Sequence, residues 1–169
     1  MNDRALLSND RGLTLPEILI AIAILGIGLG ALMAVVPIAA FGVQDGNQTT
    51  TATFLAQQRL EQVRGALWTA TTDCVGVSAT ATSAPAPSPS GTCSGTSVTF
   101  ADEPAVSGFT QYGRTVRVTS CGVAPGCDAV THAAMRRVTV TVTYRPVTAT
   151  GVSTTNTSVT LEWLVAQRL

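Results

Sequence analysis

From Ile18 to Val43 the chain carries no charged side chain, and from Ile18 to Val36 it is apolar residues and glycine without interruption. At about 1.5 Å rise per residue this run reaches about 39 Å as a helix, more than the roughly 30 Å hydrocarbon core of a bilayer requires. It predicts a transmembrane helix, tilted or extending into the far interface. Arg4 and Arg11 precede it and no comparable basic cluster follows closely. The positive-inside rule therefore puts the short N-terminus in the cytoplasm, with Asp3 and Asp10 reducing the bias. Gly26, Gly28 and Gly30, followed by Pro37, make the helix locally weak. Each such glycine costs about 1 kcal/mol against alanine, and an interior proline about 3 kcal/mol. The Gly26-x-x-x-Gly30 spacing also lets a neighbouring helix approach closely, although glycine is tolerated in membrane helices without that role.

The residues in front of the run narrow its meaning. A secretory signal peptide has an apolar core of roughly 7–15 residues ending at a small-residue cleavage site. Here the core is much longer, and Ile38-Ala39-Ala40 is a poor site. A plain membrane anchor is compatible with the hydropathy but leaves the preceding residues unexplained. Thr14-Leu15-Pro16-Glu17 matches a capping box, with Thr14 as the cap, Glu17 reaching back to its backbone N–H, and Pro16 in the first turn. That reading asks only for a helix, yet a carboxylate facing lipid is costly unless paired.

The whole stretch Arg11-Gly12-Leu13-Thr14-Leu15-Pro16-Glu17, leading into the apolar run, resembles the processing site of type IV prepilins and pseudopilins. The resemblance implies cleavage after Gly12 by a prepilin peptidase and methylation of the new amine on Leu13. It implies pairing of Glu17 with the N-terminus of a neighbouring subunit during assembly, and partial melting of the glycine-rich stretch when helices pack. It is specific over Arg11 to about Val36. Most relatives have phenylalanine where Leu13 stands and an aliphatic residue where Pro16 stands, and many major pilins have a helix-breaking proline at the place of Ala34, three residues before Pro37. The segment Phe54 to Glu61 is similar to the minor-pilin side of the superfamily.

Beyond the run the composition turns to threonine, serine, valine and alanine, which suits strands and polar loops. Gln44 to Thr53 is polar and unconvincing as a helix on propensity alone. Ala56, Leu60, Val63 and Leu67 then fall at helical spacing, with Gln58, Glu61, Gln62 and Arg64 on the wet side and Gly65 marking the end. Val75 to Ser97, rich in Ser, Thr, Ala and Gly with Pro85, Pro87 and Pro89, reads as a surface loop. Alternation follows at Val98 and Phe100, at Val116 and Val118, at Val138, Val140, Val142 and Tyr144, and at Val159, Leu161, Trp163 and Val165. Such period-two patterning predicts a mainly antiparallel sheet with one face packed. The expected class is α+β: a long N-terminal helix, its first half in the membrane and its second half docked on a small sheet. The resemblance adds the division into a leader 1–12, a membrane and filament-core helix 13–43, and an exported domain 44–169.

Four cysteines, Cys74, Cys93, Cys121 and Cys127, all follow the apolar run and read as disulfides on the exported side. Three connectivities are open. Cys74–Cys93 with Cys121–Cys127 is favoured because each pair closes a local loop rich in turn residues.

Chemistry for catalysis is not apparent. His132 is the one histidine, no C-x-x-C spacing occurs, and the surroundings of Asp128 and His132 look like a turn between strands, so neither a metal nor another cofactor is expected. Gly91 to Gly95 echoes a nucleophile elbow without its strand–turn–helix context. The net charge is zero and there is no lysine. A patch of Arg114, Arg117, Arg136, Arg137 and Arg145 on the wet side of the sheet would offer DNA a surface, but aromatics that could stack on bases are few. The expectation is a structural subunit, a minor pilin or pseudopilin of a type IV pilus or type II secretion pseudopilus. It would meet the prepilin peptidase, other subunits, an inner-membrane assembly platform and membrane lipid. The alternative is a single-pass anchored binding domain that does not polymerise.

Overall fold

The computed structural model describes residues 12–87, 93, 100–122, 126–127, 129–146 and 155–168. The chain divides into two compact units, 1–42 and 43–169. One helix, α1 (Leu15–Gly65), contributes to both.

In the first unit α1 opens where the Thr14 carbonyl accepts the N–H groups of Glu17 (3.0 Å) and Ile18 (3.2 Å), so Thr14 occupies the cap position. Pro16 falls at the second helical residue, where a missing donor costs little. The expected reciprocal bond from the Glu17 side chain to the Thr14 N–H is not among the hydrogen bonds of the described residues. The helix continues through Gly26, Gly28, Gly30 and Pro37. Proline has no N–H, so the carbonyl four residues back, on Met33, loses its helical donor there.

In the second unit α1 runs through Gln44–Thr53, the stretch whose propensity argued against it. Burial is the reason. Gln48, Ala52, Leu55, Ala56, Arg59 and Val63 recur at helical spacing and are all buried. That tertiary contact outweighs the weak local preference. The threonine hydroxyls here serve the helix as well: Thr50, Thr51 and Thr53 donate to the carbonyls of Gly46, Asn47 and Thr49 at 2.8–2.9 Å. Leu67, expected on the packed stripe, lies beyond the helix end and is exposed.

The main sheet has the order β3-β4-β5, with β3 (Tyr112–Ser120), β4 (Met135–Tyr144) and β5 (Thr157–Ala166) antiparallel throughout. Val116 faces Val140 and Val118 faces Val138, while Val140 faces Leu161 and Val138 faces Trp163. The core is therefore valines of β3 and β4 against the helix stripe, closed by Phe100, Trp68, Tyr112 and Tyr144. Tyr112 and Tyr144 pack ring to ring at 5.5 Å. The Tyr144 hydroxyl bonds with Thr49 Oγ1 at 2.9 Å, and the Tyr112 hydroxyl donates to the Gln48 carbonyl at 3.5 Å. Polar tips thus fasten one end of the sheet to the helix. Phe100 is buried but lies outside any strand, and the Val98 half of that expected alternation falls outside the described residues. Trp163 departs from expectation too. It is on the inner face by register yet 53 % exposed, because α1 covers β3 and β4 more fully than β5.

The stretch read as a loop from Val75 contains a small ribbon, β1 (Val77–Ser78) against β2 (Pro85–Ala86). It depends on Gly76, whose φ is +70° and whose missing Cβ leaves room for the Ala86 carbonyl. Gly76→Ala is expected to cost about 2–4 kcal/mol, from left-handed strain plus the overlap with backbone. Thermal unfolding of the pair of proteins checks this. A second left-handed residue, Ala129 at φ 69°, lies in the two-residue turn closed by Cys127 and Val130. Here an L side chain sits where glycine is preferred, so Ala129→Gly should stabilise by about 1 kcal/mol in the same assay.

Candidate assembly segment and the tied domain

Gly12, Leu13 and Thr14 lie outside regular structure and are exposed, Leu13 by 71 %. Glu17 sits in the first turn of α1, where a negative charge complements the helix dipole. Its carboxylate has no hydrogen-bond or ion-pair partner among the described residues. The large apolar side chains that follow are exposed along the run, including Ile18, Ile22, Leu25, Leu29 and Met33. A helix this apolar and this uncovered is long enough to cross a membrane by length and composition. A Cβ added at Gly26, Gly28 or Gly30 would meet nothing within 4 Å, so their small size has no use inside the single chain. The segment presents one carboxylate at the mouth of an unbroken apolar surface.

The second unit is held by paired charges. Glu103 Oε2 accepts from Arg114 Nε at 2.6 Å and pairs with Arg59 of α1 and with Arg114 Nη2. Arg114 reaches on to the Leu55 carbonyl (3.0 Å) and Gln58 (3.2 Å), tying sheet to helix. Burial pushes the Glu103 pKa up, but hydrogen bonds from Arg114 and Arg59 outweigh it and hold the carboxyl below its ordinary value. Asp73 behaves alike: burial raises it, and a bidentate contact from Arg136 with the Gly76 and Val75 amides brings it lower. Arg136 also lies 4.1 Å over the Trp68 ring. The hydrogen bond from Arg117 lowers the Asp102 pKa, and the same contact raises that of Arg117.

These contacts dismantle the expected DNA-facing patch. Arg114 is on the packed face and 5 % exposed, while Arg117 and Arg136 are each committed to an aspartate. Arg137 and Arg145 likewise have partners. Strand parity already held the signal, since Arg114 shares its face with Tyr112, Val116 and Val118. Cys74 is bonded to Cys93, and Cys121 to Cys127. His132 is exposed in the turn before β4 and accepts the Ala134 N–H at Nδ1 (3.2 Å). No group of three or more potential metal ligands occurs among the described residues.

Residues 7–33 match the family model described as the prokaryotic N-terminal methylation motif. The chain carries the type IV pilin and pseudopilin signature. The matched span of that methylation motif takes in Gly12, Leu13, Glu17 and the three helix glycines, and ends four residues before Pro37. Behind the motif stands the α+β arrangement expected of a pilin-like chain, a long apolar N-terminal helix whose second part packs on a small antiparallel sheet. Proteins with this motif are structural rather than enzymatic. No curated protein matches the chain, and neither does any solved structure.

Proposed function

We propose that the chain is a structural subunit of an extracytoplasmic filament, a minor pilin or pseudopilin of a type IV pilus or type II secretion pseudopilus. The observation that carries this is the methylation motif, which runs into an exposed helix of membrane-spanning length. The prepilin peptidase cuts between Gly12 and Leu13 on the cytoplasmic side of the inner membrane, removing the leader 1–12 and leaving Leu13 with a methylated amine. Residues 13–43 hold the subunit in the bilayer, among lipid, until the assembly platform draws it into the filament among other pilin subunits. Residues 44–169 form the exported domain. An amine on Leu13 is positively charged at neutral pH, with an ordinary pKa of about 7.7–8.0. Its natural counter-charge is the Glu17 carboxylate of a neighbouring copy, the only acidic group near the head of the apolar run. The glycines let adjacent helices approach, and with Pro37 they let the stretch loosen as helices pack.

The test is the intact mass and N-terminal sequence of the protein recovered from its native membrane. We expect a chain beginning at N-methylated Leu13. A chain beginning near Phe41 would overturn the reading in favour of a discarded secretion signal. An uncut Met1 start with the peptidase present would leave a single-pass anchored domain.

A further inference from the structure

The two edges of the main sheet are treated differently. On the outer side of β3, Glu103 and Arg114 exchange both backbone hydrogen bonds, at 2.8 and 2.7 Å, and the Val118 N–H donates to Ser78 Oγ at 3.0 Å. Residues before β3, Glu103 and the more distant Ser78, thus close that edge. On the outer side of β5 no strand pairs among the described residues, over ten residues from Thr157 to Ala166. Edges left open in soluble proteins are as a rule blunted by proline, lysine or a bulge. β5 has no proline and a single charged side chain, Glu162, and its register with β4 runs unbroken from Thr157 to Ala166.

Beside this edge lies a cleft. Leu60, Glu61 and Arg64 of α1 form one wall and Leu161, Glu162 and Trp163 of β5 the other, around a volume of about 450 Å³. A second hollow of about 200 Å³ continues it past Trp163 to Val165, Trp68 and Arg168. Leu161, Trp163 and Val165 are alternate residues, so the apolar lining repeats with the period of a strand. The charges are uneven. Glu61 is paired with Arg64 at 3.3 Å, but Glu162 accepts only from Thr139 (2.9 Å) and enters no ion pair among the described residues. It is the single ionisable residue of β5 and it is exposed, so a cation directly across the edge would meet an opposite charge.

We propose that β5 binds an extended segment of a partner protein as a fourth strand. Its apolar residues alternate into the cleft over Leu161 and Trp163, and a basic residue sits opposite Glu162. Backbone hydrogen bonds supply the attachment, the cleft selects apolar side chains at every second position, and Glu162 fixes register and charge preference. The proposal concerns the sheet alone and stands whether or not the chain enters a filament.

The full chain, dispersed in detergent micelles, is mixed with a short synthetic peptide in which valine alternates with threonine and arginine, or with its counterpart bearing glutamate for arginine. Amide hydrogen exchange over residues 157–166 and the tryptophan emission are followed, the latter in a Trp68→Phe background so that Trp163 alone reports. We expect the basic peptide to slow exchange along β5 and shift the emission to the blue, with the acidic peptide bound about tenfold more weakly. Glu162→Arg, at an exposed position that leaves the near-ultraviolet circular dichroism unchanged, should reverse that order. No protection of β5 by either peptide would overturn the proposal, as would equal binding of the two or an unchanged order in Glu162→Arg. Protection that appears without peptide and grows with protein concentration would also overturn it, assigning the edge to a second copy of this chain.

Discussion

Glu17→Ala is expected to abolish incorporation of the protein into sheared filaments while leaving membrane insertion intact. The substitution removes a charge from the head of an apolar run, so the helix enters the bilayer at least as readily as before; a carboxylate within the membrane costs roughly 2.5–3.5 kcal/mol by insertion scales. Little within the subunit is lost beyond a favourable interaction with the helix dipole, because the Glu17 side chain bonds to no described residue and its helix opens on backbone contacts from Thr14. What disappears is the counter-charge proposed for the Leu13 amine of the neighbouring subunit. Truncating one partner of a desolvated charge pair costs about 2–5 kcal/mol, so filament incorporation should fall by about thirtyfold or more. The ratio of filament-bound to membrane-bound protein, read by immunoblot after shearing, measures it. Glu17→Asp, which keeps the charge on a shorter arm, should recover part of the loss. Unchanged incorporation of Glu17→Ala would remove the assembly role of this carboxylate.

Removing Glu103 should strongly destabilise the second unit. Arg59 and Arg114 are both buried, and the Glu103 carboxylate is their shared counter-charge. Glu103→Ala leaves two guanidinium groups facing each other across the helix–sheet seam. Losing one side of a buried pair costs about 3–5 kcal/mol; because Glu103 retains some solvent access, about 2–4 kcal/mol is expected here. In a domain of this size that lowers the melting temperature by about 10 °C. Glu61→Ala, which breaks an exposed pair with Arg64, should change stability by no more than about 0.5 kcal/mol.

The same carboxylate sets a pH dependence. The folded-state pKa of Glu103 is lowered, as are those of Asp73 and Asp102. Their stabilising contribution is therefore complete above the unfolded values, about 3.9–4.3, and is lost as pH falls through the lower folded values. Acid unfolding should be steep below about pH 4 in the native protein and shallower in Glu103→Ala, which has already surrendered one of the three.

The parts of this fold that repeat with a fixed period could be read from the residues. Val138, Val140 and Val142 alternate against threonines because one side of β4 meets the helix and the other meets water, and the chain has to encode that difference locally. The helix end at Gly65 is local in the same way. Gln44–Thr53 was not legible, because its helix rests on Ala52 and Leu55 being covered by strands much further along the chain. Neither was the ribbon of β1 and β2, which has two residues per strand and no room for a period. Arg114 shows a conflict between two signals: its charge argued for water and its parity for the core. The deciding partner, Glu103, is invisible until the chain is folded. Trp163 shows the reverse, a correct parity with incomplete cover, since a single helix is too narrow for three strands. The N-terminal segment was legible for another reason. Gly12, Leu13 and Glu17 form a motif along the chain, and recognising it requires no tertiary contact.

Both disulfides lie in the second unit, and Cys74–Cys93 fastens the stretch that carries β1 and β2 back to the chain just beyond α1. Thiols of this kind close in oxidising compartments and stay open in reducing ones. The molecule thus carries a clock in its covalent chemistry. In the proposed topology the leader and the head of α1 meet their processing enzyme on the reducing side, while the domain completes its cross-links only after arriving on the other. Anchoring comes first and hardening second, so the pool held in the bilayer should contain subunits at two stages of maturity, separable by their reactivity toward a thiol-alkylating reagent.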